Sequence, residues 1–191
     1  GVDTRKIAVC APEGPKSDVI YSTRLVSHKR VDLLLSASEI SGRKLGRPIK
    51  GVITGDGPLK DDLKRQAYNM EVDFRFTGWL EHPEEVWGHM KNSKVMVHTS
   101  QREGFGFAAL EAMACGIPVI AMDEETTAIG ELIDHGKNGY ITSPDPESVS
   151  EAILTALDNY ESMAPSCMDR ADSFSWEASG KSLVRAYTLN G

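Results

Sequence analysis

Apolar residues in this chain follow two alternating patterns. Short runs rich in Val, Ile and Phe are separated by longer stretches in which apolar residues recur every third or fourth position. The first pattern predicts buried strands and the second predicts amphipathic helices. The runs fall at residues 18–22, 48–54, 72–77, 95–98, 118–122 and 140–142. The helical stretches fall at 30–40, 59–70, 83–92, 107–114, 128–134, 147–158, 160–171 and 177–189. Val31, Leu34, Leu35 and Ala37 share one helix face, and Val86, Trp87 and Met90 share another. Pro58 suits the first position of the helix at 59–70.

Strands that alternate with helices through short loops predict an α/β domain. The expected form is a Rossmann-like parallel sheet of about six strands with helices on both faces. Its crossovers should be right-handed, and a ligand should bind beyond the carboxyl ends of the strands. Residues 1–16 contain Pro12, Gly14 and Pro15, lack periodicity, and read as a linker. Residues 17–172 read as the domain and 173–191 as a closing helical segment.

The unusual residue clusters all follow predicted strands. After the first strand, Arg24, Lys29 and Arg30 bring three cations to a strand-to-helix loop. Such a loop offers free amides to an anion, and Arg and Lys add charge. A solvated basic loop is the ordinary alternative. After the second strand, Gly55-Asp56-Gly57-Pro58 is either a close approach to a ligand or a tight turn into a helix. It lacks the Lys-Ser/Thr ending of a P-loop.

After the fourth strand comes Ser100-Gln101-Arg102-Glu103-Gly104-Phe105-Gly106-Phe107, with Glu111 inside the next helix. Gly104 and Gly106 allow the backbone, including the Phe105 amide between them, to fold against phosphate or sugar hydroxyls. Glu111 sits among Ala108, Ala109, Leu110, Ala112, Met113 and Ala114. A carboxylate buried there needs hydrogen-bond donors, and a ribose diol supplies two. An exposed acid on the helix's wet face is the alternative. Trp79 and Leu80, after the third strand, could shelter a base ring or merely pack a loop. The five histidines are scattered without metal-ligand spacing. His98, at a strand end, is the one best placed for a role.

Charge and composition narrow the function classes. The formal net charge is −7, which argues against a nucleic-acid partner. No apolar run approaches the roughly 20 residues of a membrane helix. The first residues show no secretory leader pattern. Cys10, Cys115 and Cys167 are far apart and suit neither a zinc site nor a disulfide framework, as expected for reduced thiols in a cytoplasmic protein.

Taken in order, these clusters resemble the group 1 glycosyltransferases of GT-B architecture, a family of retaining enzymes. The resemblance runs from Gly1 to about Leu157 and returns at Phe174-Ser175-Trp176-Glu177. Its Gly-Arg-Leu…Lys-Gly segment corresponds to Thr23-Arg24-Leu25…Lys29-Arg30, and its Gly-Asp-Gly-Pro turn to Gly55–Pro58. Its two glutamates with seven residues between correspond to Glu103 and Glu111, followed by Ala112-Met113-Ala114-Cys115-Gly116-Ile117-Pro118.

The resemblance implies the C-terminal, donor-binding half of such an enzyme, with a nucleoside diphosphate sugar as substrate and neither cofactor nor metal. Arg24 and Lys29 would hold the diphosphate. Glu111 would bind ribose. Glu103, with the amides of Gly104, Phe105 and Gly106, would contact the transferred sugar. The segment around Gly78, Trp79 and Leu80 would border the base, and Gly55 would be among the donor-binding residues. Thr23 and Arg30 depart from the pattern, because glycine usually occupies both positions. Gly1-Val2-Asp3-Thr4 resembles the stretch that joins the two GT-B domains, which implies that the N-terminal acceptor domain is a separate partner and that this chain alone is inactive. The family's lipid and cell-surface acceptors imply a peripheral place at the inner face of the membrane, reached through that domain.

Three other readings fit part of the pattern. A non-catalytic nucleotide-sugar-binding subunit would use the same pocket. A sugar-nucleotide epimerase of similar architecture would lack the Gly-Phe-Gly insert after Glu103. A plain α/β interaction domain would bind no nucleotide.

Overall fold

The computed structural model of the chain describes residues 1–70, 72–125 and 128–188. Its strands are β1 (Ser17–Ser22), β2 (Lys50–Thr54), β3 (Asp73–Gly78), β4 (Ser93–His98), β5 (Val119–Met122) and β6 (Gly139–Thr142). They form one six-stranded sheet in the order β3-β2-β1-β4-β5-β6. Every neighbouring pair is parallel. The helices are α1 (Thr4–Val9), α2 (Val31–Leu45), α3 (Lys60–Asn69), α4 (Pro83–Lys91), α5 (Phe107–Ala114), α6 (Pro146–Ser173) and α7 (Trp176–Thr188). They flank the sheet on both faces.

The central strands are buried on both faces, so they read as unbroken apolar runs. Ile20, Tyr21, Met96, Leu34, Leu35 and Leu110 are fully buried in the core. At the amino end of the sheet, the buried Asp18 accepts two bonds from Arg47 at 2.6 and 3.1 Å, one from the Lys50 amide at 3.1 Å and one from Lys94 at 3.1 Å. Burial opposes its charge, but these donors outweigh burial and hold its carboxyl at about 2. One acid therefore ties β1, β2 and β4 together at the end opposite the candidate site.

Local signals explain the helix ends. Gly46, at φ 66°, closes α2 by donating back to the Arg43 and Gly42 carbonyls. Pro83 opens α4, and the Glu85 carboxylate accepts the His82 amide at 2.9 Å. Asp145 caps α6, ahead of Pro146, by accepting the Ser148 amide.

The structure departs from the sequence expectations in four places. Residues 1–16 contain a helix, α1, that buries Ile7, and Val2 bridges to Ser175. Two buried side chains in so short a segment are too few to make a periodic pattern. The helices expected at 147–158 and 160–171 are one helix, α6. Val149, Ile153, Ala156, Met163, Cys167 and Ala171 continue a single buried stripe across the polar break at Asp158 and Asn159 and past Pro165. Residues 128–134 form only a 3₁₀ turn, Ile129–Leu132, because the chain turns again at Gly136. Pro58 precedes α3 instead of opening it, since Leu59 is its N-cap. The expected end of the last helix, Leu189, lies outside the described residues.

Candidate functional site

Strand order reverses at the centre of the sheet. β1 pairs with β2 on one side and β4 on the other. Such sheets bind ligands at the carboxyl edge beside this reversal.

The β1 loop is built against the β2 turn. Thr23 N–H donates to Thr54 O at 2.9 Å, and Leu25 N–H donates to Asp56 O at 2.9 Å. A Cβ on Gly55, at φ +114°, would stand 2.0 Å from Thr23 O, and one on Gly57 would stand 2.4 Å from Leu25 O. These glycines are therefore required by backbone packing, whatever else Gly55 does at the cleft.

A cleft of about 560 Å³ lies over this junction. It is lined by Arg24 and Gly55, by Trp79 and Leu80, and by Trp87 and Glu111. The Arg24 side chain is exposed and has no ion pair or hydrogen bond among the described residues, while its carbonyl accepts the Val26 amide at 2.9 Å. Trp79 is 75% exposed, standing free at the rim. Burial pushes the Glu111 carboxyl above its ordinary range, offset in part by the nearby Trp87 indole N–H. That N–H, itself buried, has no hydrogen bond of ordinary geometry. The cleft thus places a partly buried acid beside a buried indole N–H, behind an unpaired Arg24 side chain.

Lys29 and Glu103 stand outside the lining of this cleft. Lys29 Nζ lies 2.6 Å from Glu103 Oε2, and His98 Nε2 lies 3.3 Å from the same oxygen. The His98 N–H is the main cause of a depressed Glu103 carboxyl; burial opposes it and Lys29 assists, and the result is about 2. The β1 and β4 loops are fastened to each other. Thr99 Oγ1 donates to the Lys29 and Arg30 carbonyls at 2.9 and 2.8 Å, and Gln101 N–H donates to His28 O at 2.8 Å.

Gly106, at φ 79°, is the N-cap of α5, and a Cβ there would meet Ile129 at 2.5 Å. Gly104 has open space where a Cβ would lie. The amides of Gly104, Phe105 and Gly106 donate to no backbone oxygen among the described residues. The Phe105 ring turns away to pack on Phe107 and Phe174, with centroids 5.0 and 5.7 Å apart. Arg30 adopts the left-handed conformation at φ 48°, the one non-glycine residue at positive φ among those described. Its side chain pairs with Asp32 at 3.5 Å and lines a separate hollow with Leu59 and Leu63.

The structure thus groups Arg24, Gly55, Trp79, Leu80 and Glu111 in one cleft. Lys29, Glu103, Gly104, Phe105 and Gly106 lie outside its lining. The reading of single residues missed Trp87 and Asp56 as lining. Trp87 reads as an ordinary core aromatic, and Asp56 as part of a turn. Among the described residues no three His, Cys, Asp or Glu side chains group as a metal site would need, and no helix is long and apolar enough to cross a membrane.

Residues 4–170 match the family described as glycosyl transferases group 1. The chain is 32% identical over 134 residues to a GDP-mannose-dependent alpha-(1-6)-phosphatidylinositol dimannoside mannosyltransferase of Mycobacterium tuberculosis, covering 70% of this chain and 34% of the relative. It is 31% identical over 142 residues to a poly(ribitol-phosphate) alpha-N-acetylglucosaminyltransferase of Staphylococcus aureus, covering 73% and 28%. The chain therefore spans about a third of the length of these relatives. Among solved structures, Anabaena HepE in complex with UDP superposes with a TM-score of 0.77 at 21% identity, over 100% of this chain and 56% of that one. The C-terminal domain of a group 1 family protein, LpcC, from Francisella tularensis gives 0.76 at 22% identity, over 92% of this chain and 100% of that one.

Proposed function

Since this chain belongs to the group 1 glycosyl transferases, we propose that it is the nucleotide-sugar-binding half of a retaining enzyme that transfers a sugar from a nucleoside diphosphate sugar to an acceptor. One observation carries this reading: a single cleft holds an unpaired Arg24 side chain at its mouth and a partly buried Glu111 whose carboxyl burial pushes above its ordinary range. A ribose diol gives Glu111 two hydroxyl donors. The diphosphate then meets Arg24, with Lys29 next to it, and the base lies between Leu80 and Trp79. Glu103 and the amides of Gly104, Phe105 and Gly106 face the transferred sugar.

In the reaction the anomeric C–O bond breaks, and its electron pair leaves on the β-phosphate oxygen. The acceptor hydroxyl bonds to the same carbon from the same face and gives its proton to the departing diphosphate oxygen. Negative charge grows on the departing diphosphate. Fixed cations held in place before reaction stabilise that charge without reorganisation cost. Arg24 and Lys29 do this work, and no cofactor is needed on this reading. The acceptor is read by a second domain, as the chain's share of its relatives' length supports. The complete enzyme works in the cytoplasm and meets the membrane through that domain where its acceptor is a lipid.

One relative is named for GDP-mannose, while UDP occupies a solved structure of this fold. The base is therefore to be found by titration. Calorimetry of this chain with UDP, GDP, ADP and dTDP should give saturable binding of one of them, weakened in both Arg24→Ala and Glu111→Ala. Binding that both variants leave intact, or no binding by any nucleotide, would overturn the reading and favour an interaction domain.

A further inference from the structure

Glu103 has two partners in this structure, and a donor sugar nucleotide would compete for one of them. Lys29 Nζ and His98 Nε2 both contact Oε2, at 2.6 and 3.3 Å. Oε1 has no partner among the described residues. On the proposed function, Lys29 turns toward the diphosphate when donor enters, and its hold on Glu103 weakens. Glu103 lies in the loop between β4 and α5, whose glycines give it little stiffness of its own. A second anchor then decides whether its carboxylate stays aimed.

His98 is built to be that anchor. It is the last residue of β4, paired in register with Ala121 of β5, and its side chain is 4% exposed. The edge of its ring packs against Tyr21 on β1, with centroids 5.3 Å apart at 62°. Tyr21 is itself fixed, since its hydroxyl donates to Lys29 O at 3.1 Å. His98 therefore rests on two central strands and needs no ligand to hold its place.

We propose that His98 is a positioning residue for the transferred sugar, its Nε2–H holding Glu103 Oε2 so that Oε1 meets a sugar hydroxyl while Lys29 serves the diphosphate. This rests on the donor-binding reading. His98 touches no substrate; it acts through Glu103.

The test is the preference of the chain for a nucleotide sugar over its nucleoside diphosphate, measured by calorimetry as a ratio of affinities. The probe pairs are UDP-glucose, UDP-N-acetylglucosamine and UDP, and GDP-mannose and GDP. In His98→Phe the ratio should fall by about tenfold, the scale of a lost bond to a charged group, while nucleoside diphosphate affinity stays within about twofold of the parent. Glu103→Gln should lose the same preference, and the double variant should lose no more. His98→Gln can reach Oε2 with its amide N–H and should keep the preference, whereas the shorter His98→Asn should not. This rescue pattern keeps the test decisive if His98→Phe does not fold. An unchanged ratio in both His98→Phe and His98→Asn overturns the positioning role and leaves donor binding standing. Equal loss in His98→Gln and His98→Asn overturns it too, reducing His98 to core packing. Absence of nucleotide binding in the parent chain overturns both readings.

Discussion

Lys29 and Glu103 are 74 residues apart in the chain and 2.6 Å apart in the structure. Their side chains are 15% and 24% exposed, so water screens the pair only in part. A diphosphate approaching Lys29 meets a carboxylate already in place. Replacing Glu103 by Gln removes that repulsion and frees the ammonium. Affinity for the bare nucleoside diphosphate should then rise about two- to fivefold, the range of partly exposed ion pairs. The gain should shrink with added salt. Calorimetry at two ionic strengths checks both points, and a loss of affinity would mean that Glu103 supports the diphosphate instead of opposing it.

Glu111 should trade stability for binding. Burial raises its carboxyl above the ordinary 4.5, so the folded state holds its proton more tightly than the unfolded state. The cost is absent below the ordinary value and grows as pH rises through the raised one. Glu111→Gln should therefore unfold at a higher temperature than the parent near neutral pH, with the difference vanishing at acid pH. The same change should weaken nucleotide binding by about tenfold or more, as expected when a charged acceptor of two hydroxyl donors is lost. Thermal scans across pH, with and without nucleotide, read both effects.

Asp18 behaves with the opposite sign. Its carboxyl is held at about 2 against an ordinary 3.8, so its stabilising share is present above 3.8 and is lost as pH falls through about 2. Asp18→Asn should lose about 2 kcal/mol near neutral pH, a figure in keeping with a carboxylate paired to this extent. Parent and variant should converge below about pH 2. Urea titrations at both ends test this, and a constant difference would place the cost in packing instead.

Arg30 carries a strain that glycine would relieve. Its left-handed φ of 48° costs a non-glycine residue about 1 kcal/mol or more. Its side chain faces Asp32 and a separate hollow, not the cleft. Arg30→Gly should stabilise the fold by up to about 1 kcal/mol after the entropy of the freer unfolded chain is subtracted. Arg30→Val should destabilise it, and neither should alter nucleotide affinity by more than about twofold. Chemical denaturation together with calorimetry separates the two properties.

Gly55→Ala should damage the site through its floor. The new Cβ would lie 2.0 Å from Thr23 O, at a backbone φ of +114° that side chains rarely adopt. Stability should drop by about 2–3 kcal/mol, and the Arg24 loop should shift. Nucleotide binding should fall even below the temperature at which the variant melts. Normal binding by a folded variant would show that the loop tolerates the shift.

The sheet was legible in the sequence because its strands are buried on both faces and so appear as short apolar runs between helices. The clusters after 22, 54, 78 and 98 fell on one edge for the same reason: a parallel sheet puts every strand's carboxyl end on the same side. What could not be read depends on distance in space. The contact of Lys29 with Glu103 and the clash that fixes Gly55 arise between segments brought together only by the β1–β4 and β1–β2 pairings. The break at Asp158 and Asn159 misled for a local reason, since two polar residues on the exposed side of α6 imitate a helix end. Arg30 could be flagged from its departure from the family's glycine, but its direction required the backbone.

The pairing of β1 with β4 divides the domain between 22 and 98 into two halves with separate assets. The first half contributes Arg24, Lys29, Gly55 and Trp79, and the second contributes His98, Glu103 and Glu111. Neither half owns a complete binding surface. A ligand held across that seam acts as a noncovalent clasp, and its affinity is also a measure of how firmly the halves cohere. Saturating nucleotide should therefore slow amide exchange in β1 and β4 together, including at residues it does not touch, because no opening that parts them can keep the ligand bound.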